Sequence, residues 1–154
     1  MAAMEAPSEM RRESSRALGG LALQQKAGQA YDEEALRHFL AIERKRAERF
    51  RRPFPVLLVD LKQQPGESAV FNPAVAYKLF SSLWCCLRDT DIVGWFRTDR
   101  VAGAVLTQIS EGSQVEVARR VARRVTLALS SGLPMDIAAN IRIRVYQVRP
   151  KLHR

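Results

Sequence analysis

Arg88 and Asp91 stand three residues apart in Leu87-Arg-Asp-Thr-Asp91, between an apolar stretch that reads as a helix and one that reads as a strand. A guanidinium fork can donate two hydrogen bonds to O6 and N7 of a guanine, and a carboxylate can accept from N1 and N2 of the same base. The pair also fits a plainer use: a cation at a helix C-terminus beside a turn-forming aspartate, worth about 0 to 1 kcal/mol on the surface. Both uses stay open. Asp60 closes the apolar run Phe54-Pro-Val-Leu-Leu-Val-Asp-Leu61; it can bind a metal, but the simpler expectation is that it caps a nearby backbone amide. Arg119, Arg120, Arg123 and Arg124 make a basic stripe opposite the apolar positions Ala118, Val121, Ala122, Val125 and Leu129. A solvated helix face is the commonest fate of such a stripe; phosphate binding and contact with an acidic partner or membrane surface are the alternatives.

Other reactive groups are scarce. Cys85 and Cys86 adjoin inside an apolar run, where one or both are expected to be packing residues rather than nucleophiles. Two cysteines and two histidines, His38 and His153, build neither a disulfide framework nor a zinc site, and neither histidine has the surroundings of a nucleophilic triad. Trp84 and Trp95 are expected in the core or facing a partner.

These groups need a scaffold, and 154 residues with 47% hydrophobic content supply one folded domain rather than a disordered chain. The 25 basic against 16 acidic side chains leave +9, so the expected partners are anionic. No stretch reaches the roughly 18 apolar residues of a membrane span. Leu18-Gly-Gly-Leu-Ala-Leu23, followed by Gln-Gln-Lys, is too short for one and does not read as a signal peptide, so a reducing cytoplasm is expected.

Residues 1–30 lack apolar periodicity and are expected to be a flexible tail or linker; 31–150 carry the domain. Leu36, Phe39, Leu40, Ala47 and Phe50 recur at helical spacing until Pro53. Phe54–Leu61 is a short apolar, β-branched run, read as a strand buried on both faces. Asn72-Pro73 marks a helix start. Asp91–Phe96 and Val101–Leu106, separated by Arg97-Thr-Asp-Arg100, read as a hairpin. A basic amphipathic helix follows Ser113, and Ile141-Arg-Ile-Arg-Val-Tyr-Gln-Val148 alternates as an edge strand does. The fold class is α/β (α+β), a mixed, mainly antiparallel sheet flanked by helices.

In this order the strings resemble the GGDEF domain, the nucleotidyl-cyclase-like fold of diguanylate cyclases. The matching stretches are Val56-Leu-Leu-Val-Asp60, the Asn72–Leu87 helix, Arg88-Asp-Thr-Asp91, Ile92–Phe96, the turn Arg97-Thr-Asp-Arg-Val101 and Ala102–Leu106. The signature is degenerate. Arg97 and Thr98 stand where the family has paired glycines that let the phosphates approach. Asp60 and Asp99 match metal-binding carboxylates, but Arg100 replaces the next acid, and Asp60-Leu-Lys-Gln-Gln-Pro-Gly-Glu67 lacks the guanine-reading residues. Phosphoryl transfer rests on positioning and charge neutralisation, so these losses imply no catalysis.

Arg88 and Asp91 match the family's product-binding inhibitory site, with Arg119 or Arg120 as the added arginine and Arg97 and Arg100 as nearby extras. The resemblance therefore implies an inactive bacterial signalling domain. It would bind cyclic di-GMP through Arg88, Asp91, Arg119 and Arg120, need no cofactor or metal, and regulate a regulatory or biosynthetic protein, with a homodimer open and no nucleic acid bound. The alternatives are a ligand-free interaction scaffold and, third, a weak residual cyclase.

Overall fold

Asp32 begins the first helix by accepting the amide of Ala35 at 2.8 Å, and Glu33 and Glu34 complement the positive end of the dipole. A computed structural model describes residues 30–62, 69–107 and 113–150, so all but the last residue of the tail expected over residues 1–30, as well as His153, lies outside the described residues. Helix α1 (Glu33–Phe50) ends where Arg51 turns left-handed, two residues before Pro53. Strand β1 (Phe54–Leu61) is buried along nearly its whole length. Helix α2 (Pro73–Cys86) starts at Asn72, whose side chain accepts the Val75 amide at 2.9 Å, and has proline at its first position. Strands β2 (Ile92–Arg97) and β3 (Val101–Val105) form the hairpin. Helix α3 (Gln114–Gly132) is capped by Ser113, a four-residue helix α4 (Met135–Ala138) follows, and β4 (Ile141–Val148) is last. The short α4 was not expected, since four residues carry no readable period.

The sheet order is β2-β3-β1-β4, and every neighbouring pair is antiparallel. The crossovers through α2 and α3 each join strands that run the same way, as a βαβ connection does. In each case an antiparallel strand is inserted between them: β3 between β1 and β2, β1 between β3 and β4. The strand pairing is therefore antiparallel rather than mixed, and the arrangement is the split βαβ plan.

Leu57 and Val59 face α2 and α3, in a core with Leu79, Leu83, Val125 and Leu129, while Phe54 and Val56 face α1 at Leu36 and Ala47. Trp95 packs edge-on to Phe80 in the first of these cores, with ring centroids 4.9 Å apart. On the outer edge of β2, Tyr31 exchanges main-chain bonds with Val93 and Trp95. It crosses Gly94 so closely that a Cβ there would lie 2.5 Å from the Tyr31 carbonyl oxygen.

Candidate functional site

Arg88 follows the end of α2, and Asp91 leads into β2. The turn between them is closed twice: the Asp91 amide donates to the Arg88 carbonyl at 3.0 Å, and the Arg88 amide donates to Asp91 Oδ2 at 2.9 Å. Asp91 Oδ1 accepts the Thr107 amide at 3.2 Å, and the Thr107 hydroxyl donates to the Thr90 carbonyl at 2.7 Å. The carboxylate thus ties the α2–β2 turn to the residues just past β3. Asp91 is only 6% exposed. Burial pushes its pKa up, against the opposing pull of the Arg88 and Thr107 amides and the Arg88 and Arg124 guanidiniums.

Of the pair, only Arg88 reaches solvent, whereas Asp91 is buried with both carboxylate oxygens held by backbone amides. Arg88 is exposed, but a carboxylate three residues on is well placed to cap the turn's own amides, and burial follows from that. From α3, Arg120 and Arg124 reach the same place and line, with Arg88 and Asp91, a depression of about 40 Å³ floored by Leu106 and Val121. Arg124 Nη1 also donates to the Cys86 carbonyl at the end of α2, at 3.4 Å. Arg119 is exposed and lies outside this lining. Arg97 and Arg100 are not nearby extras, because they sit at the other end of the six-residue strand β2, about 20 Å away at about 3.3 Å per residue.

At that far end lies a second group of polar contacts. Asp60 is buried and faces Arg142 across the β1–β4 ladder, which donates through Nε to Oδ1 at 3.1 Å and through Nη2 to Oδ2 at 2.5 Å. Arg144 Nη2 lies 3.6 Å from the same carboxylate. The expected backbone cap at Asp60 is thus replaced by a bidentate ion pair, which a buried carboxylate requires more than it requires an amide. In the hairpin turn, Glu33 of α1 accepts both the amide of Thr98 at 2.7 Å and its hydroxyl at 3.1 Å; these bonds hold the Glu33 carboxyl below its ordinary range. Asp99 adopts a left-handed conformation with φ 63°, and its carbonyl accepts the Phe71 amide at 2.7 Å. The Asp60 carboxylate does not fit a divalent cation as it stands, because a guanidinium already engages both of its oxygens.

No family model matches the sequence, and no curated protein matches it. Solved structures do. A sensory box/GGDEF family protein from Caulobacter crescentus aligns at TM-score 0.57 and 22% identity, over 77% of this chain and 78% of that one. A DGC protein from Thermotoga maritima aligns at TM-score 0.54 and 17% identity, over 78% and 81%. The diguanylate cyclase SiaD from Pseudomonas aeruginosa, solved with its activator SiaC, aligns at TM-score 0.61 and 14% identity, over 99% of this chain and 62% of that one. The chain has the GGDEF fold.

Two features of this GGDEF-like domain were not singled out in the sequence. Arg124 was read only as part of the stripe, although its place four residues after Arg120 puts both on one helix face. Thr107 carries no local signal, since its role depends on Asp91 sixteen residues away. Of the two cysteines, Cys86 packs half-buried against the core and Cys85 is exposed; burial pushes the Cys86 thiol up to about 11, which makes it unreactive at neutral pH. A larger cleft of about 480 Å³ adjoins the arginine depression at Leu106 and is bordered by Glu43, Arg52 and the exposed ring of Phe50. Among the described residues no helix is long and apolar enough to cross a membrane.

Proposed function

We propose that this GGDEF-like domain has lost GTP chemistry and binds cyclic di-GMP through Arg88 and the α3 arginines, passing the state of that site to a regulatory or biosynthetic partner protein. The carrying observation is the convergence of Arg88, Arg120 and Arg124, from two elements, around a carboxylate already satisfied by backbone amides. Three guanidiniums against one carboxylate leave a local surplus of positive charge suited to a ligand with two phosphates. In this reading Arg88 addresses the Hoogsteen edge of a guanine and Arg120 and Arg124 the phosphates, with Arg119 at the margin. Asp91 is a positioning residue that fixes the turn carrying Arg88.

The loss of catalysis has its own support. The hairpin amide that a glycine turn would offer to a phosphate, that of Thr98, is engaged by the Glu33 carboxylate. The carboxylate that would hold a cation, Asp60, is engaged by Arg142. Each place is filled from within by a group of the same charge as the ligand it would have bound. Calorimetric titration with cyclic di-GMP tests the reading: Arg88→Ala is expected to abolish binding while leaving the fold intact, and an Arg88→Ala protein that binds like its parent would remove the site.

A ligand-free interaction scaffold is the second reading. It is favoured by the engagement of both Asp91 oxygens and by a depression far below the roughly 300–1,000 Å³ of ordinary ligand pockets. It predicts no heat with the dinucleotide and a salt-sensitive protein complex, so a pull-down that recovers nothing at low salt counts against it.

A further inference from the structure

Strand β4 ends the sheet, and among the described residues nothing pairs with its outer edge. Its eight residues pair with β1 in unbroken register from Phe54↔Val148 to Leu61↔Ile141, with no bulge and no proline inside the strand. Alternate residues of an antiparallel strand direct their N–H and C=O groups to opposite sides, so about half of these groups point away from β1. An edge of this length and regularity is a template for another strand.

The two faces of that edge differ in chemistry. Arg142, Arg144 and Tyr146 share one face, and Tyr146 is 45% exposed. Arg144 stacks on the Tyr146 ring, 5.6 Å from its centroid, while its Nε is buried with no partner among the described residues. On this face two arginines, Arg142 and Arg144, stand against the single carboxylate of Asp60. On the opposite face Ile141, Ile143 and Val145 are only half-buried against the core. A second copy of the chain is disfavoured in the registers centred on residues 142 to 144, where two β4 edges meeting antiparallel set arginine against arginine, since like charges directly opposed destabilise a ladder.

We propose that the outer edge of β4 accepts an extended segment of a partner protein in which acidic and apolar residues alternate. The partner's main chain continues the ladder, its carboxylates meet Arg142 and Arg144, and its apolar side chains cover Ile143 and Val145. This surface lies on the sheet edge opposite β2, so it stands whether or not Arg88 holds a dinucleotide.

The test is a titration of the full chain with a synthetic peptide of alternating valine and glutamate, alongside the same peptide N-methylated on every residue, which blocks both of its edges. Binding of the first and none of the second is expected, with new exchange protection on β4 amides and an affinity about two- to fivefold weaker in Arg144→Ala. Absence of binding overturns the proposal, as does equal binding of the methylated peptide, which would reduce the edge to a charged surface. A chain that dimerises in solution, and loses the dimer on Arg144→Glu, would overturn it in favour of a second copy.

Discussion

Replacing Asp91 by alanine removes the acceptor for two backbone amides at once, those of Arg88 at 2.9 Å and Thr107 at 3.2 Å. A net hydrogen bond is worth about 1 kcal/mol, and a buried donor left unpaired costs about 1–3 kcal/mol. Arg88 is exposed, so its amide recovers part of this from water, whereas Thr107 is half-buried and recovers less. Relief of a desolvated carboxylate offsets a further part, and the net destabilisation comes to about 1–3 kcal/mol. For a domain of this size that lowers the melting temperature by about 4–12 °C. Thermal unfolding followed by circular dichroism measures it, and amide exchange at Thr107 locates it. Asp91→Asn keeps one acceptor but turns an N–H₂ toward the other amide, so it is expected to melt below the parent as well. A variant that melts with the parent and protects the Thr107 amide equally would refute the reasoning, because the carboxylate would then be holding nothing together.

Three further outcomes follow from the geometry. Burial raises the Asp91 carboxyl, so the folded chain keeps that proton to higher pH than the unfolded chain; its contribution to stability is lost as pH rises from about 4, the ordinary aspartate value. The difference in stability between the parent and Asp91→Asn should therefore shift against the parent as pH rises through that range, and pH-resolved melts showing the opposite slope would contradict it. Gly94→Ala sets a methyl group 2.5 Å from the Tyr31 carbonyl oxygen and is expected to cost about 1–3 kcal/mol by denaturant unfolding, with lost exchange protection at Trp95; unchanged stability would mean that Tyr31 is not seated there. Arg142→Ala strands the buried Asp60 carboxylate beside Arg144 alone, so the melting temperature should fall and no cyclic product should form from GTP and magnesium. Product from either the parent or this variant would overturn the loss of catalysis.

The elements were legible because their signals are local. Asp32, Asn72 and Ser113 cap the three long helices, Pro53 marks the end of the first, and the alternation in Ile141–Val148 fits a sheet edge. What the sequence hid depends on distance along the chain. The Asp60–Arg142 pair spans 82 residues and the Glu33–Thr98 contact 65, and no spacing rule reaches so far. Arg97 and Arg100 looked close to Arg88 by count, but a strand is straight and carries them to the other end of the sheet. Arg88-x-x-Asp91 was found as a motif, yet its spacing serves a self-capped turn as well as a purine edge, and only the Thr107 contact shows which way the carboxylate points.

The central claim is that guanidiniums, rather than the buried carboxylate, make this domain a receptor for a cyclic dinucleotide. Titrating the folded Arg120→Ala/Arg124→Ala protein against cyclic di-GMP beside its parent tests that most directly. Saturable heat from the parent, weakening with added salt and lost in the double variant, is the predicted result. No heat from the parent, or equal affinity in the two proteins, would contradict it.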